Sequence, residues 1–153
     1  SRIAEKGSVK VPEQCAVYPF AQVHQMISTI KAKCSPEISS LDVVNACFPM
    51  GSMTGAPKQR AMELINQYED CKRGLYSGAV GYFKPNGDFD LNVVIRSIVY
   101  DSQSQYLSTH VGSALTDAAD PVKEYEECQL KVKAIKCVLS NKLTEIITHG
   151  AKV

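Results

Sequence analysis

Tyr76-Ser77-Gly78-Ala79-Val80-Gly81-Tyr82-Phe83-Lys84-Pro85-Asn86-Gly87-Asp88-Phe89-Asp90-Leu91-Asn92-Val93-Val94-Ile95-Arg96 is the stretch on which the fold turns. Two runs rich in β-branched and aromatic residues flank Pro85-Asn86-Gly87-Asp88, and an Asn-Gly pair readily takes the positive φ angles that a tight hairpin turn requires. A third run, Tyr106–Val111, follows the polar segment Asp101–Gln105. The pattern predicts an antiparallel meander of three strands over Tyr76–Phe83, Asp90–Tyr100 and Tyr106–Val111.

Helical signals lie on both sides. Upstream, Ser1–Ala16 is polar and broken by Gly7 and Pro12, so it reads as a loop with one extended piece near Val9–Val11. Val23, Met26, Ile27 and Ile30 recur at helical spacing after Pro19, and Leu41, Val43, Val44 and Ala46 predict a shorter helix behind the cap candidates Ser39 and Ser40. The glycine-bearing loop Phe48–Lys58 leads into a helix with Ala61, Met62, Leu64 and Ile65, expected to stop near Lys72-Arg73-Gly74. Downstream, Asp120 as cap and Pro121 at an early helical position open one long helix to about Asn141 or beyond. Helices, a meander and a long helix predict an α+β fold in which helices cover an antiparallel sheet.

At 153 residues, 44% hydrophobic and 22% charged, the chain suits one globular domain. A net charge of +1 supplies no general field for nucleic acid or an anionic membrane, so any anion needs a local site. No run of 18 apolar residues occurs and the start lacks a secretion signal, which points to the cytosol. The start also reads as cut from something longer. Cys15, Cys34, Cys47, Cys71, Cys128 and Cys137 are scattered without C-x-x-C pairs, so reduced, packing cysteines are expected.

Three groups of residues have chemical potential. On a helical wheel Glu124, Glu127 and Lys131 fall within a sector of about 60° at the border of the apolar stripe of Cys128, Val132, Ile135, Leu139 and Ile146. Two carboxylates there suit Mg²⁺, which takes one or two protein carboxylates and leaves room for substrate oxygens. The same spacing also allows a plain ion pair between Glu127 and Lys131. Arg96 follows the apolar Val93-Val94-Ile95 inside the expected second strand and needs an anion, either a ligand carboxylate held by two parallel hydrogen bonds or an internal partner. Tyr76 opens the first expected strand beside Ser77 and Gly78, which leave space near its hydroxyl for a ligand, although amphipathic packing explains such a tyrosine equally. The loop Gly51–Gly55 has no phosphate-loop spacing, the three histidines form no metal motif, and there is no nucleophile elbow.

Taken in order, Gly51-Ser52-Met53-Thr54-Gly55-Ala56-Pro57-Lys58-Gln59-Arg60-Ala61-Met62, Arg73-Gly74-Leu75-Tyr76-Ser77-Gly78-Ala79-Val80-Gly81-Tyr82, Ile95-Arg96 and Asp120-Pro121-Val122-Lys123-Glu124-Tyr125-Glu126-Glu127 resemble the chorismate-utilising enzymes, the large components of anthranilate synthase and aminodeoxychorismate synthase. The resemblance covers nearly all of the chain but only the C-terminal part of the family's catalytic domain. It implies the anthranilate-synthase-like fold, with Glu124 and Glu127 as Mg²⁺ ligands and Lys131 as the lysine that follows them. It further implies that Arg96 and Tyr76 hold the enolpyruvyl side of chorismate. Ala114 matches a glycine that offers its backbone N–H to a carboxylate. Ser52 falls where anthranilate synthases commonly carry threonine, which favours the aminodeoxychorismate branch. Gln25 stands where members often have histidine.

The implied activity is Mg²⁺-dependent amination of chorismate at C4, with ammonia from a glutamine amidotransferase partner, on the way to 4-aminobenzoate and folate. Anthranilate synthase is the alternative enzyme, and a non-catalytic module that merely keeps the fold is the alternative class. Because the family's upstream half carries further metal ligands, the isolated 153-residue chain is expected to be inactive.

Overall fold

The Asn86-Gly87 turn forms where the sequence places it. Lys84 and Asp88 close it with a 2.7 Å backbone hydrogen bond, and Gly87 adopts φ +90°. Asn86 accepts from the Asp88 N–H at 3.1 Å and donates to its carboxylate at 2.8 Å. In the computed structural model, which describes residues 2–20 and 24–149, this turn joins β3 (Ala79–Phe83) to β4 (Phe89–Val93). Phe83 and Phe89 stack at 5.2 Å beside the turn.

Upstream the strands begin earlier than expected. Lys10–Pro19 forms β1 and His24–Lys31 forms β2, paired antiparallel with Val17 opposite Met26 and Ala16 opposite Ile27. The expected helix through Met26, Ile27 and Ile30 is therefore a strand; Val23 lies outside the described residues. Apolar residues at adjacent positions satisfy helical spacing and a strand with two apolar faces equally, and β-branched Ile27, Thr29 and Ile30 favour the pleat. The loop expected over Ser1–Ala16 is correspondingly replaced, from Lys10 onward, by β1.

The helices follow their caps. Ser39 and Asp42 exchange hydrogen bonds in a capping box at the start of α1 (Ser40–Cys47). A 3-10 turn at Gly51–Met53 precedes α2 (Lys58–Tyr68), which stops short of Lys72-Arg73-Gly74. The chain instead turns at Gly74, φ +58°, where glycine tolerates the left-handed conformation. Asp120 caps α3 (Pro121–His149) through the N–H of Val122 at 2.9 Å.

The meander divides into two hairpins. After β4 the backbone leaves the ladder, and β5 (Val99–Asp101) pairs instead with β6 (Tyr106–Ser108). Arg96 is thus not a strand residue: it sits on the bend between β4 and β5 with φ +51° and an exposed side chain. The break follows from Ile95 donating back to Val93 at 3.0 Å, which uses an N–H that a continuing ladder needs. The mixed α+β class stands, with its antiparallel strands in three two-stranded ladders.

By contacts the chain divides into two units, Ser1–Lys58 with Tyr82–Asp90, and Gln59–Gly81 with Leu91–Val153. Among the described residues only Val132 and Ser77 are buried, each 6% exposed. All six cysteines are free, as expected, but five are exposed and Cys128 is half-buried, so the expectation that they pack as buried apolar residues fails. No helix among the described residues is long and apolar enough to cross a membrane.

Candidate functional site

In the second unit, the first turns of α3 carry the predicted carboxylates. The 100° step of the helix brings Glu124, Glu127 and Lys131 onto one side, and the segment Gly112-Ser113 supplies their partners. The half-buried Ser113 hydroxyl donates to Glu124. Lys131 Nζ lies 2.6 Å from Glu127 Oε1 and donates to the Gly112 carbonyl at 2.8 Å. The ion pair that the spacing allowed is therefore made.

Glu127 is held below the usual carboxylate range, first by the hydrogen bond from Lys131, then by its charge, with Ser113 contributing a smaller hydrogen bond against the cost of desolvation. Glu124 and Lys131 are thus both tied to the Gly112-Ser113 segment, and Glu127 is joined to it through Lys131. Among the described residues there is no group of three or more His, Cys, Asp or Glu side chains suited to a metal. Two carboxylates fit Mg²⁺, which leaves most of its coordination to water and substrate oxygens, and do not suit zinc, which wants four N, S or O ligands.

Tyr76 approaches the same segment. It sits in the turn before β3, closed by its N–H to the Arg73 carbonyl at 3.0 Å, and not within the strand itself. The buried Ser77, φ +70°, ties the turn to β4's end by donating its N–H to the Val94 carbonyl at 3.0 Å. The Tyr76 ring stacks on His110 at 5.8 Å, and the Arg73 guanidinium lies 5.8 Å from its centroid. Its hydroxyl fills the space above Gly112: a Cβ there would stand 2.8 Å from Tyr76 Oη. Burial pushes the Tyr76 phenol above 10.0, with Arg73 and Lys131 opposing, so at neutral pH the hydroxyl is protonated and can donate to an anionic ligand.

Arg73 is itself fixed. Nε donates to Glu69 Oε2 at 2.8 Å and Nη2 to Oε1 at 2.5 Å, the two-point geometry that arginine offers a carboxylate. Arg73 hydrogen bonding and charge hold Glu69 below its ordinary 4.5, against desolvation. A folded value below the unfolded one stabilises the folded state above the unfolded pKa, and that stabilisation is lost as pH falls through the folded value. In a carboxyl-detected NMR titration, Glu69 is expected to titrate below 4.5 in the wild type and to return toward it in Arg73→Gln. An unchanged midpoint would remove the clamp from the account.

Neither Ala114 nor Arg96 makes a side-chain hydrogen bond or ion pair with this cluster among the described residues. Ala114 follows Ser113 directly and is exposed, with its backbone outside any helix or strand. Arg96 faces solvent, and the ion pairs among the described residues are Arg60–Glu63, Arg73–Glu69 and Lys131–Glu127, so the internal-partner alternative is not met. Ser52 is exposed in the 3-10 turn of the first unit, and Gln25 lies opposite Tyr18 in β2. Sequence reasoning assigned no role to Ser113, Gly112, His110 or the Glu69–Arg73 clamp. Only the clamp had a local signal, its i, i+4 spacing of opposite charges.

Residues 1–136 match the family described as chorismate binding enzyme. The chain is 45% identical over 133 residues to the chloroplastic aminodeoxychorismate synthase of Arabidopsis thaliana, covering 87% of this chain and 14% of that protein. It is 41% identical over 138 residues to aminodeoxychorismate synthase of Streptomyces pristinaespiralis, covering 90% and 19%. Anthranilate synthase component 1 of Neisseria meningitidis serogroup B is 35% identical over 134 residues, covering 88% and 27%. The crystal structure of anthranilate synthase component I from Streptococcus pneumoniae superposes with a TM-score of 0.74 at 33% identity, covering 86% of this chain and 30% of that one. The chain thus spans less than a third of the length of each of these relatives.

Proposed function

This chain belongs to the chorismate binding enzyme family, and from that membership we propose that it serves in the large component of an aminodeoxychorismate synthase, with Glu124 and Glu127 as ligands for Mg²⁺. The single observation that carries the reading is the placement of both carboxylates on one side of α3 against Gly112-Ser113, Glu124 through the Ser113 hydroxyl and Glu127 through Lys131. Support for the branch comes from the identities, 45% and 41% to proteins named aminodeoxychorismate synthase against 35% to one named anthranilate synthase. The anthranilate reading keeps a specific point in its favour, the 0.74 TM-score to a solved anthranilate synthase component.

Chorismate is a small dianion, and the residues offer it local charge that the net +1 of the chain does not. Tyr76 donates its hydroxyl hydrogen bond, Arg96 presents an exposed guanidinium to a carboxylate, Lys131 presents its ammonium, and Ala114 offers a backbone N–H. When bound at Glu124 and Glu127, Mg²⁺ supplies Lewis acidity to assist departure of the C4 hydroxyl. Holding the ring fixed relative to the incoming nitrogen is the contribution of the side chains. Overall, a C4–N bond forms, the C4–O bond breaks, and the hydroxyl leaves as water with a proton from ammonia. A glutamine amidotransferase partner is the source of that ammonia.

Arg96 tests substrate binding against a module that merely keeps the fold. In the full-length protein that carries this sequence, Arg96→Ala is expected to weaken chorismate binding at least about 10-fold by calorimetry, and Arg96→Lys to restore only part of it. Unchanged affinity would favour the non-catalytic module.

A further inference from the structure

Ser113 joins the loop before α3 to a carboxylate on that helix. Its hydroxyl donates to Oε2 of Glu124, 11 positions downstream, and both residues are half-buried. The loop that carries it is held from two sides. Lys131 Nζ donates to the Gly112 carbonyl at 2.8 Å, and a Cβ on Gly112 would stand 2.8 Å from Tyr76 Oη. The helix end is held as well: the Glu124 N–H donates to the Asp120 carbonyl at 3.0 Å, and Asp120 caps the helix through Val122. Donor and helix backbone are thus both fixed, and the one flexible part between them is the glutamyl side chain.

The two carboxylates differ in what satisfies their charge. Glu127 has an ammonium, Lys131, at 2.6 Å. Glu124 has no ion-pair partner among the described residues, and its Oε1 accepts from none of them. A half-buried carboxylate tied only to a neutral hydroxyl retains an oxygen and a full charge for a cation. Carboxylates that ligate metals are themselves commonly hydrogen-bonded, which orients the side chain before the ion arrives. We propose that Ser113 is a positioning residue for the divalent ion: its hydroxyl fastens Oε2 of Glu124 and leaves Oε1 for the ion. The inference rests on the proposed Mg²⁺ role of Glu124 and adds to it a residue outside the ligand pair.

The test measures Mn²⁺ binding to the full-length protein that carries this sequence by electron paramagnetic resonance, since Mn²⁺ takes the same oxygen ligands as Mg²⁺. Ser113→Ala is expected to weaken binding at least about tenfold, the scale of losing a hydrogen bond behind a metal ligand. Ser113→Thr keeps a hydroxyl and is expected to recover most of that loss. In a Glu124→Gln background Ser113→Ala should add little, because the carboxylate it positions is gone. Thermal unfolding without metal checks the fold of each variant, and the stabilisation that Mn²⁺ adds should shrink in step with the affinity. A merely structural tie between loop and helix predicts a lower metal-free melting temperature for Ser113→Ala with an unchanged Mn²⁺ constant. That result would overturn the proposal while sparing the metal reading. Equal weakening by alanine and threonine, or a full effect of Ser113→Ala in the Glu124→Gln background, would also overturn it. Mn²⁺ binding left unchanged by Glu124→Gln would remove the metal reading itself, and the inference with it.

Discussion

Glu124→Gln in the full-length protein that carries this sequence is expected to lower Mg²⁺-dependent consumption of chorismate by at least about 100-fold, the scale of losing one fixed electrostatic group at a reacting centre. The amide keeps the size of the side chain and its ability to accept from Ser113, so the fold has little reason to change. What it loses is the negative charge. Glu127→Gln should act in the same direction, and it also frees Lys131 from its 2.6 Å partner. Because Lys131 stays anchored to the Gly112 carbonyl at 2.8 Å, the two glutamine variants separate the metal role from the ion pair. Mg²⁺ titrations of the rate should show a raised half-saturation concentration in both. If Glu127→Gln is affected and Glu124→Gln is not, the pair with Lys131 is what matters and the divalent-ion account fails.

Gly112→Ala is expected to destabilise the protein by about 1–3 kcal/mol, the usual cost of forcing an extra group into an occupied space. The added Cβ would meet Tyr76 Oη at 2.8 Å, whereas the next atom, Cζ, lies at 3.9 Å, an ordinary contact. The phenol cannot swing away freely, since its ring stacks on His110 and also contacts the Arg73 guanidinium. In a Tyr76→Phe background the same glycine substitution should therefore be nearly neutral. The double-mutant cycle, read from thermal or denaturant unfolding, is expected to give a coupling of about 1–2 kcal/mol. Additive costs would mean that Tyr76 does not occupy the space above Gly112, and the substrate position assigned to its hydroxyl would go with it.

How far the residues alone reach can be judged from particular cases. Asn86-Gly87, Ser39 and Asp120 dictate their own neighbourhoods: each makes its turn or cap with atoms two to four residues away, so local chemistry suffices. The helical phase of Glu124, Glu127 and Lys131 is equally local, and the pairing of Glu127 with Lys131 follows from it. Met26, Ile27 and Ile30 misled because their pattern is degenerate between a helix and a strand with two apolar faces, and only pairing with β1 decides between them. Arg96 misled for a different reason. The run from Asp90 to Tyr100 is rich in β-branched residues around Arg96, and nothing in its composition announces that Ile95 turns back on Val93.

Ser113 was hidden because its role depends on a contact with Glu124 across 11 positions, and the space at Gly112 is defined by Tyr76, still further away in sequence. Such relations are tertiary, so no window of sequence contains them. The family motifs located the segments in which they would be found, without saying which atoms meet.

The most direct measurement of the central claim is the ring position aminated when the full-length protein carrying this sequence is given chorismate, Mg²⁺ and ammonia. The account predicts nitrogen at C4 with the enolpyruvyl group retained, and no product without the divalent ion. Anthranilate, with nitrogen at C2 and pyruvate released, or turnover indifferent to Mg²⁺, would contradict it.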